Sequence, residues 1–365
     1  MTPPIAIRQF RFEGSPEQIG EAYGEALRAE IAEFYTVRLN NALAQARHYG
    51  GRVVDEDEVL ALARRCLAAS EGYDPEGYRE LAGIARGARL SLDRIFAMNG
   101  LTDLRNVLSF GDPATWRPSR AEGCSSFIVE PERSADDHLY LGQTWDLATD
   151  QMPFVIAVHR RPRGRPATWS LTTSGCLSLI GMNEHGAAIG TTNIRTTDSR
   201  VGVTYLQIIH RALRETTIAG IEAAITGAPR AGAHYYSAAD ASERAVAVEC
   251  TATQAIATRV SGGYHVHCNH ILDPANLALE AAAPTRSSLC RQARMGELIG
   301  GANQLLTVGE LQRFLADHER GDDGICQHDR AGISSNGSIV MCPSTRRLWM
   351  CHGPACTGIW IELGF

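Results

Sequence analysis

The chain has 365 residues, of which 44% are hydrophobic and 21% charged; that is enough apolar material for a sizeable buried core, and it excludes a disordered or fibrous chain. A net charge of −6 without a basic run argues against a nucleic-acid partner. All 35 Lys+Arg cations are arginine, which excludes Schiff-base chemistry, pyridoxal phosphate attachment and a phosphate-binding lysine loop.

Taken in chain order, the first 110 residues read mostly as helix. "SPEQIGEAYGEALRAEIAEFYTVRL" opens on a Ser cap and repeats apolar residues at helical spacing, and "DPEGYRELAGIARGARL" and "SLDRIFAMNGL" read the same way. "SFGDPATWRPSRAEG" is rich in Gly, Pro, Ser and charge and reads as a loop. The texture then changes to short β-prone runs separated by turns: "SSFIVEP", "HLYLGQTWDL", "PFVIAVHRR", "ATWSLTTSGCLSLIGMN" and "GAAIGTTNI". "VTYLQIIHRALRETTIAGIEAAIT" is helical, and strands are expected from "AHYYSAAD" to "YHVHCNHIL". Two more helices follow at "SSLCRQARMGELI" and "TVGELQRFLADH", the second capped by Thr307, before antiparallel strands close the chain. The order predicts a layered α+β architecture rather than a parallel sheet. No stretch of about 18 apolar residues predicts a membrane span. The opening "MTPPIAIRQF" has no signal-peptide pattern, so the expected location is cytoplasmic.

None of the ten cysteines forms a C-x-x-C pair, and a disulfide framework belongs to short secreted chains, so most are expected to be buried thiols. Cys124 is different because it stands in "AEGCSS", at the junction of loop and first strand. Gly123 leaves its own carbonyl sterically open. The Cys124 thiol could attack that carbonyl and release the upstream piece. The new α-amino group, with a pKa of about 7.7–8.0 against about 8.5 for the thiol, would then serve as the base for its own side chain. From the residues alone, a Gly-Cys step before a strand is usually structural, and that is the reading the residues favour.

The stretch "EGCSSF…GQTWDL" resembles the acyl-coenzyme A:6-aminopenicillanic acid acyltransferase family, N-terminal-nucleophile hydrolases related to the choloylglycine hydrolases. "EAYGEALRAEI" and "PEGYRELAGIARGARLSLDRIFAMNGLTDL" resemble that family's helical pro-region, and "IGMNEHGAAIGTTNI", "HCNHIL", "GICQH" and "SIVMCPSTRRLWMCHGPAC" resemble later parts in the same order. The resemblance implies a four-layer αββα sandwich in one domain, 1–365. Self-cleavage at Gly123–Cys124 would divide it into a helical pro-region, 1–123, and a large fragment, 124–365, that stay associated. It implies Cys124 as nucleophile, Asp146 near its amino group, Asn193 at the oxyanion hole through its backbone N–H, Asn269 as the side-chain amide donor there, and an arginine in the following helix. Arg291 is the choice for that arginine and Arg286 the alternative. The substrate implied is a small acyl compound, with a coenzyme A thioester as one candidate donor, and neither metal nor organic cofactor is implied. Oligomerisation stays open.

Bile-salt-type relatives carry an arginine three residues before the matching aspartate, where this chain has Gln143, so bile-salt hydrolysis is not expected. A plain amidase or peptidase of small N-acyl compounds and a non-catalytic Cys/His binding protein are the rival readings. For the latter, His265, His267, Cys268 and His270 in "YHVHCNH" form a candidate zinc cluster, with His265 and His267 facing one way on a strand but no second ligand group nearby. Cys351 and Cys356 read as a turn flanked by buried thiols, or as a redox pair, and His328 receives no role.

Overall fold

The computed structural model describes residues 5–51 (49 and 50 without side chains), 53–109, 123–329 and 332–365. Its first element corrects the mostly helical reading of the N-terminal third. β1 (Arg8–Gly14) lies along β4 (Val155–Pro162) in parallel, with Arg8 opposite Ile156 and Gly14 opposite Pro162. A strand from the start of the chain is thus built into a sheet whose other strands all come after residue 150.

The long helix expected after Ser15 is two helices, α1 (Pro16–Ala26) and α2 (Arg28–Gly50), broken at Leu27. Ser15 caps α1 in a reciprocal box with Gln18. α3 (Glu56–Tyr73) lies within the stretch read mostly as helix but is not one of the helices picked out there, although Asp55 and Glu58 form a capping box at its start. α4 (Pro75–Ala88) and α5 (Leu92–Ser109) fall where helices were expected. Of the loop expected at 109–123, Ser109 closes α5 and Gly123 leads into Cys124, while 110–122 lie outside the described residues.

Beyond Cys124 the elements are β2 (Ser126–Val129), β3 (Tyr140–Ala148), β4, β5 (Thr168–Thr173), β6 (Ile180–Asn183), β7 (Ala188–Asn193), α6 (Tyr205–Ala212) and α7 (Ile218–Thr226). They continue as β8 (His234–Ala239), β9 (Ala245–Cys250), β10 (Ala255–Arg259), β11 (Tyr264–His267), α8 (Arg286–Gly300), α9 (Val308–Leu315), β12 (Ile333–Cys342), β13 (Arg347–His352) and β14 (Trp360–Leu363). Eight strands form one sheet, ordered β1-β4-β5-β6-β7-β8-β9-β10, and six form a second, ordered β11-β2-β3-β12-β13-β14. Every pair except β1–β4 is antiparallel.

Side-chain alternation along the strands makes four layers. On the first sheet, Arg160 and Ser170 face the helices, where Arg160 meets Glu80 of α4. Leu171 and Trp169 face the second sheet: Leu171 packs over Gly337, and Trp169 Nε1 donates to the Gly364 carbonyl. On the second sheet, Ile128, Leu141 and Ile339 join the core between the sheets. Their neighbours Phe127, Val129, Tyr140 and Val340 pack in a separate cluster with Met295 and Ile299 of α8 and Leu311 and Leu315 of α9. The result is the expected αββα sandwich. Among the described residues, no helix is long and apolar enough to cross a membrane.

Candidate active site

The site lies where strands of both sheets end. Cys124 stands two residues before the start of β2 and is only 7% exposed. Its main chain is held at both polar atoms: its N–H donates to Asn269 Oδ1 at 2.8 Å, and its carbonyl accepts from Arg291 Nη1 at 2.6 Å. Arg291 is fully buried and also donates to Asn269 Oδ1 and to Ser125 Oγ, at 3.0 and 3.1 Å. Its guanidinium lies so close to Gly123 that a Cβ there would stand 2.2 Å from Nη2, so glycine is what the close approach requires.

Asn269 follows β11, and its own N–H donates to Ser288 Oγ on α8 at 2.9 Å. With two donors fixed on Oδ1, its Nδ2 points the other way and donates to the Asn193 carbonyl at 3.0 Å, the last residue of β7. One hydrogen of that NH₂ group is thereby used and the second remains. Asn193 therefore meets Asn269 through its backbone carbonyl, an acceptor, and not through the backbone N–H that the resemblance implied, while its buried Oδ1 has no protein partner.

Asp146 sits near the end of β3, opposite Ser335 of β12. A β-bulge sets this register: Ser335 pairs with Asp146 and Gly337 with Trp145, leaving Asn336 between them. Ser335 Oγ donates to Asp146 Oδ1 at 2.7 Å and Thr144 Oγ1 to Oδ2 at 3.3 Å, while Thr144 Oγ1 accepts the Ser125 N–H at 3.1 Å. Burial pushes the Asp146 carboxyl up to about 7, against the opposing pull of Arg291, Ser335 and Thr144. Burial, then the Asp146 charge, pushes the Cys124 thiol up to about 12, with the Asp146 backbone N–H and Arg291 pulling the other way. Burial thus favours the neutral form of both the thiol and the nearby carboxyl group.

Cys124, Asp146, Asn193 and Asn269 line one cleft of about 450 Å³, and Arg291 backs it. Arg286 is elsewhere: it begins α8, its side chain is 87% exposed and it pairs with Asp323. The sequence reading missed Thr144, Ser288 and Ser335, which orient the main groups. It also missed a buried pair in the cleft wall: His234 Nε2 lies 2.8 Å from Asp103 Oδ1, and His234 Nδ1 has no protein partner. Nothing in the sequence signals the bulge that brings Ser335 to Asp146.

Gln143 has a different use. Its side-chain amide grips the Thr191 peptide, accepting its N–H at 2.8 Å and donating to its carbonyl at 2.9 Å, and so ties β3 to β7 across the two sheets. The histidines of "YHVHCNH" do not converge. His265 and His267 both stack on Tyr235, as their common face predicts, but His267 also binds Thr192 and Glu249, and His270 binds Ser288. Cys351 is buried and Cys356 exposed, so the turn is not flanked by two buried thiols.

The sandwich is the fold class that the family resemblance implied, and the cleft brings together the residues that the resemblance singled out. Residues 133–353, more than half of the chain, match the model of the family described as acyl-coenzyme A:6-aminopenicillanic acid acyl-transferase, and the chain belongs to that family. The matched segment contains Asp146, Asn193, Asn269 and Arg291 and begins after Cys124. The chain is 22% identical, over 331 residues, to the 40 kDa form of acyl-coenzyme A:6-aminopenicillanic-acid-acyltransferase from Emericella nidulans, covering 90% of this chain and 86% of that one. Similar solved structures include a mutant of the conjugated bile acid hydrolase from Clostridium perfringens (TM-score 0.45, 11% identity) and penicillin V acylase from Agrobacterium tumefaciens (TM-score 0.43, 12% identity). Each covers 66% of this chain, and this chain covers 92% and 86% of theirs, respectively.

Proposed function

We propose that the chain is a precursor that cuts itself between Gly123 and Cys124, and that the exposed cysteine is the nucleophile of an acyltransferase and amidohydrolase acting on linear amide or thioester bonds. The observation that carries this reading is the double clamp on Cys124, with Asn269 on its nitrogen, Arg291 on its carbonyl and Asp146 beside its thiol. In self-cleavage, Sγ bonds to the Gly123 carbonyl carbon and the C–N bond breaks. Asp146 takes the thiol proton and returns it to the departing nitrogen. Water then hydrolyses the thioester, leaving the Gly123 carboxylate and a free thiol.

The freed nitrogen already rests on Asn269, so the amine forms in position to act as base. In turnover it accepts the thiol proton, and the thiolate adds to the substrate carbonyl. The remaining Nδ2 hydrogen of Asn269 is the side-chain donor for the oxyanion. The α-ammonium gives the thiol proton to the leaving amine or thiolate as the C–N or C–S bond breaks, and the acyl group on Cys124 then passes to an amine or to water. The donors that fit are N-acyl amides and acyl thioesters, coenzyme A thioesters among them. β1 supports the further reading that the 1–123 and 124–365 fragments stay together, since it is hydrogen-bonded into the larger fragment's sheet.

The test uses one acyl group supplied both as an amide and as a thioester, with hydroxylamine as acceptor. A shared acyl-enzyme gives the same ratio of hydroxamate to free acid from both donors. The protein should run as two bands under denaturing conditions, the larger beginning Cys-Ser-Ser, whereas Cys124→Ala should stay a single, folded, inactive chain. Ratios that differ several-fold would sink the covalent intermediate, and a Cys124→Ala chain cut as efficiently as wild type would sink self-cleavage.

A further inference from the structure

Four sulfur and nitrogen donors gather away from the cleft. His318 follows α9, Cys326 and His328 flank Gln327 in the segment leading to β12, and Cys356 lies in the turn between β13 and β14. One donor atom from each lies within 4.8 Å of all the others, and this is the only such grouping of three or more potential ligands among the described residues. His328 Nε2 is 3.1 Å from Cys356 Sγ and 3.7 Å from Cys326 Sγ, and the His318 and His328 rings are 4.9 Å apart. A tetrahedral zinc ion, with Zn–S near 2.3 Å and Zn–N near 2.0–2.1 Å, needs its donors about 3.3–3.8 Å apart. The four side chains are therefore within small rotations of a Cys₂His₂ shell.

We propose that His318, Cys326, His328 and Cys356 bind one Zn²⁺ ion. Two thiolates neutralise the dication, and a mixed sulfur and imidazole set in a tetrahedron favours zinc over the oxygen-seeking magnesium and calcium. The protein supplies all four ligands and leaves no position for a water, so the ion is structural and does not activate a nucleophile. It fastens a segment with little regular structure of its own: between α9 and β12 the described residues hold only the short turn Gly321–Asp323. That segment also reaches the active site. The Gln327 N–H donates to Ser335 Oγ at 3.0 Å, its carbonyl accepts the Ser335 N–H at 3.1 Å, and Ser335 Oγ holds Asp146.

The test begins with elemental analysis of the full chain, purified from zinc-supplemented cells without chelator; about one zinc per chain is expected. Chelator-stripped wild type titrated with Co²⁺ should saturate at one equivalent, with sulfur-to-cobalt charge-transfer absorption and the intense visible bands of a tetrahedral ion. This needs no variant and is independent of catalytic activity. Cys356→Ser should lose the zinc and the charge-transfer intensity of one thiolate, whereas Cys290→Ser, outside the cluster, should keep both. Wild type that takes up neither metal stoichiometrically, or that carries a Cys326–Cys356 disulfide in place of the ion, would overturn the proposal. So would loss of the metal in Cys290→Ser with retention in Cys356→Ser.

Discussion

In an uncut chain, residue 124 has an amide nitrogen and no amine, so the first reaction must find its base elsewhere. In the proposed self-cleavage that role falls to Asp146, whose carboxyl is lifted to about 7 by burial. A base acts when deprotonated, so the rate of self-cleavage should rise with pH through about 7 and level off above it. Following the uncut band over time at stepped pH checks this. Asp146→Asn should stay uncut throughout, and a wild-type rate unchanged on both sides of neutrality would remove Asp146 from that role. Asn269→Ala should lower the turnover of processed enzyme by about 10²–10³-fold with little change in substrate binding, the usual cost of one oxyanion donor. Processing must be scored separately, because the same side chain holds the Cys124 nitrogen. At this scale the sequence offered residue types but not their neighbours. Arg291 could have been separated from Arg286 by helical periodicity, since Ser288, Arg291, Met295 and Ile299 form the buried stripe of α8. The hydroxyls of Thr144 and Ser335 could not, because their roles depend on which strands become neighbours.

Two helices of the N-terminal third are fitted together by glycine. A Cβ on Gly20 or Gly24 of α1 would strike the backbone of α4, and one on Gly83 or Gly87 of α4 would strike that of α1, all at under 2.5 Å. The contact sets α4 so that Glu80 meets Arg160 of β4 at 2.7 Å and His210 of α6 at 3.4 Å, all three buried. Burial raises the Glu80 pKa, but Arg160 and then His210 prevail and hold it at about 2. Glu80→Gln leaves Arg160 without its carboxylate partner in the interior and should cost about 3–5 kcal/mol at neutral pH, read from the urea midpoint. Because the folded pKa is depressed, the carboxylate's contribution is fully present above the ordinary value of 4.5 and is lost as pH falls toward about 2. The gap between wild type and variant should therefore narrow over that window. A gap that widens as pH falls would contradict the assignment. The glycine spacing was visible in "IGEAYGEA" and "AGIARGA", but its partner was not. β1 escaped because its burial pattern has a single buried position, Phe12, too weak an alternation to compete with the helical stretch beside it.

Across the whole molecule the chain order of elements matched the strand-and-helix texture closely enough to give a layered α+β architecture, because each layer has its own apolar period; the four-layer sandwich was implied by the family resemblance. What joins distant segments was not legible. The β1–β4 pairing and the gathering of His318, Cys326, His328 and Cys356 bring together residues from several elements with no short motif to announce them. The parallel pairing of β1 has a measurable effect if residues 123 and 124 are parted. The upstream piece leaves behind its edge of the sheet only by breaking seven residues of ladder and the packing of α1 and α4 beneath it. The two pieces should co-elute at the size of the intact chain under native conditions and separate only in denaturant. Separation by native chromatography would mean that this ladder does not hold them.

With no lysine anywhere in the sequence, each primary amine in the protein is the head of a polypeptide. An amine-directed tag therefore counts chains: one tag on an uncut molecule of this sequence and two on a cut one, without separating the pieces. The second head would lie at a residue only 7% exposed, with its nitrogen against Asn269. A bulky tag should reach it only after unfolding, while a small one should reach it in the native protein and silence it. The difference in tag count between native and unfolded protein then measures how deeply that amine is shielded.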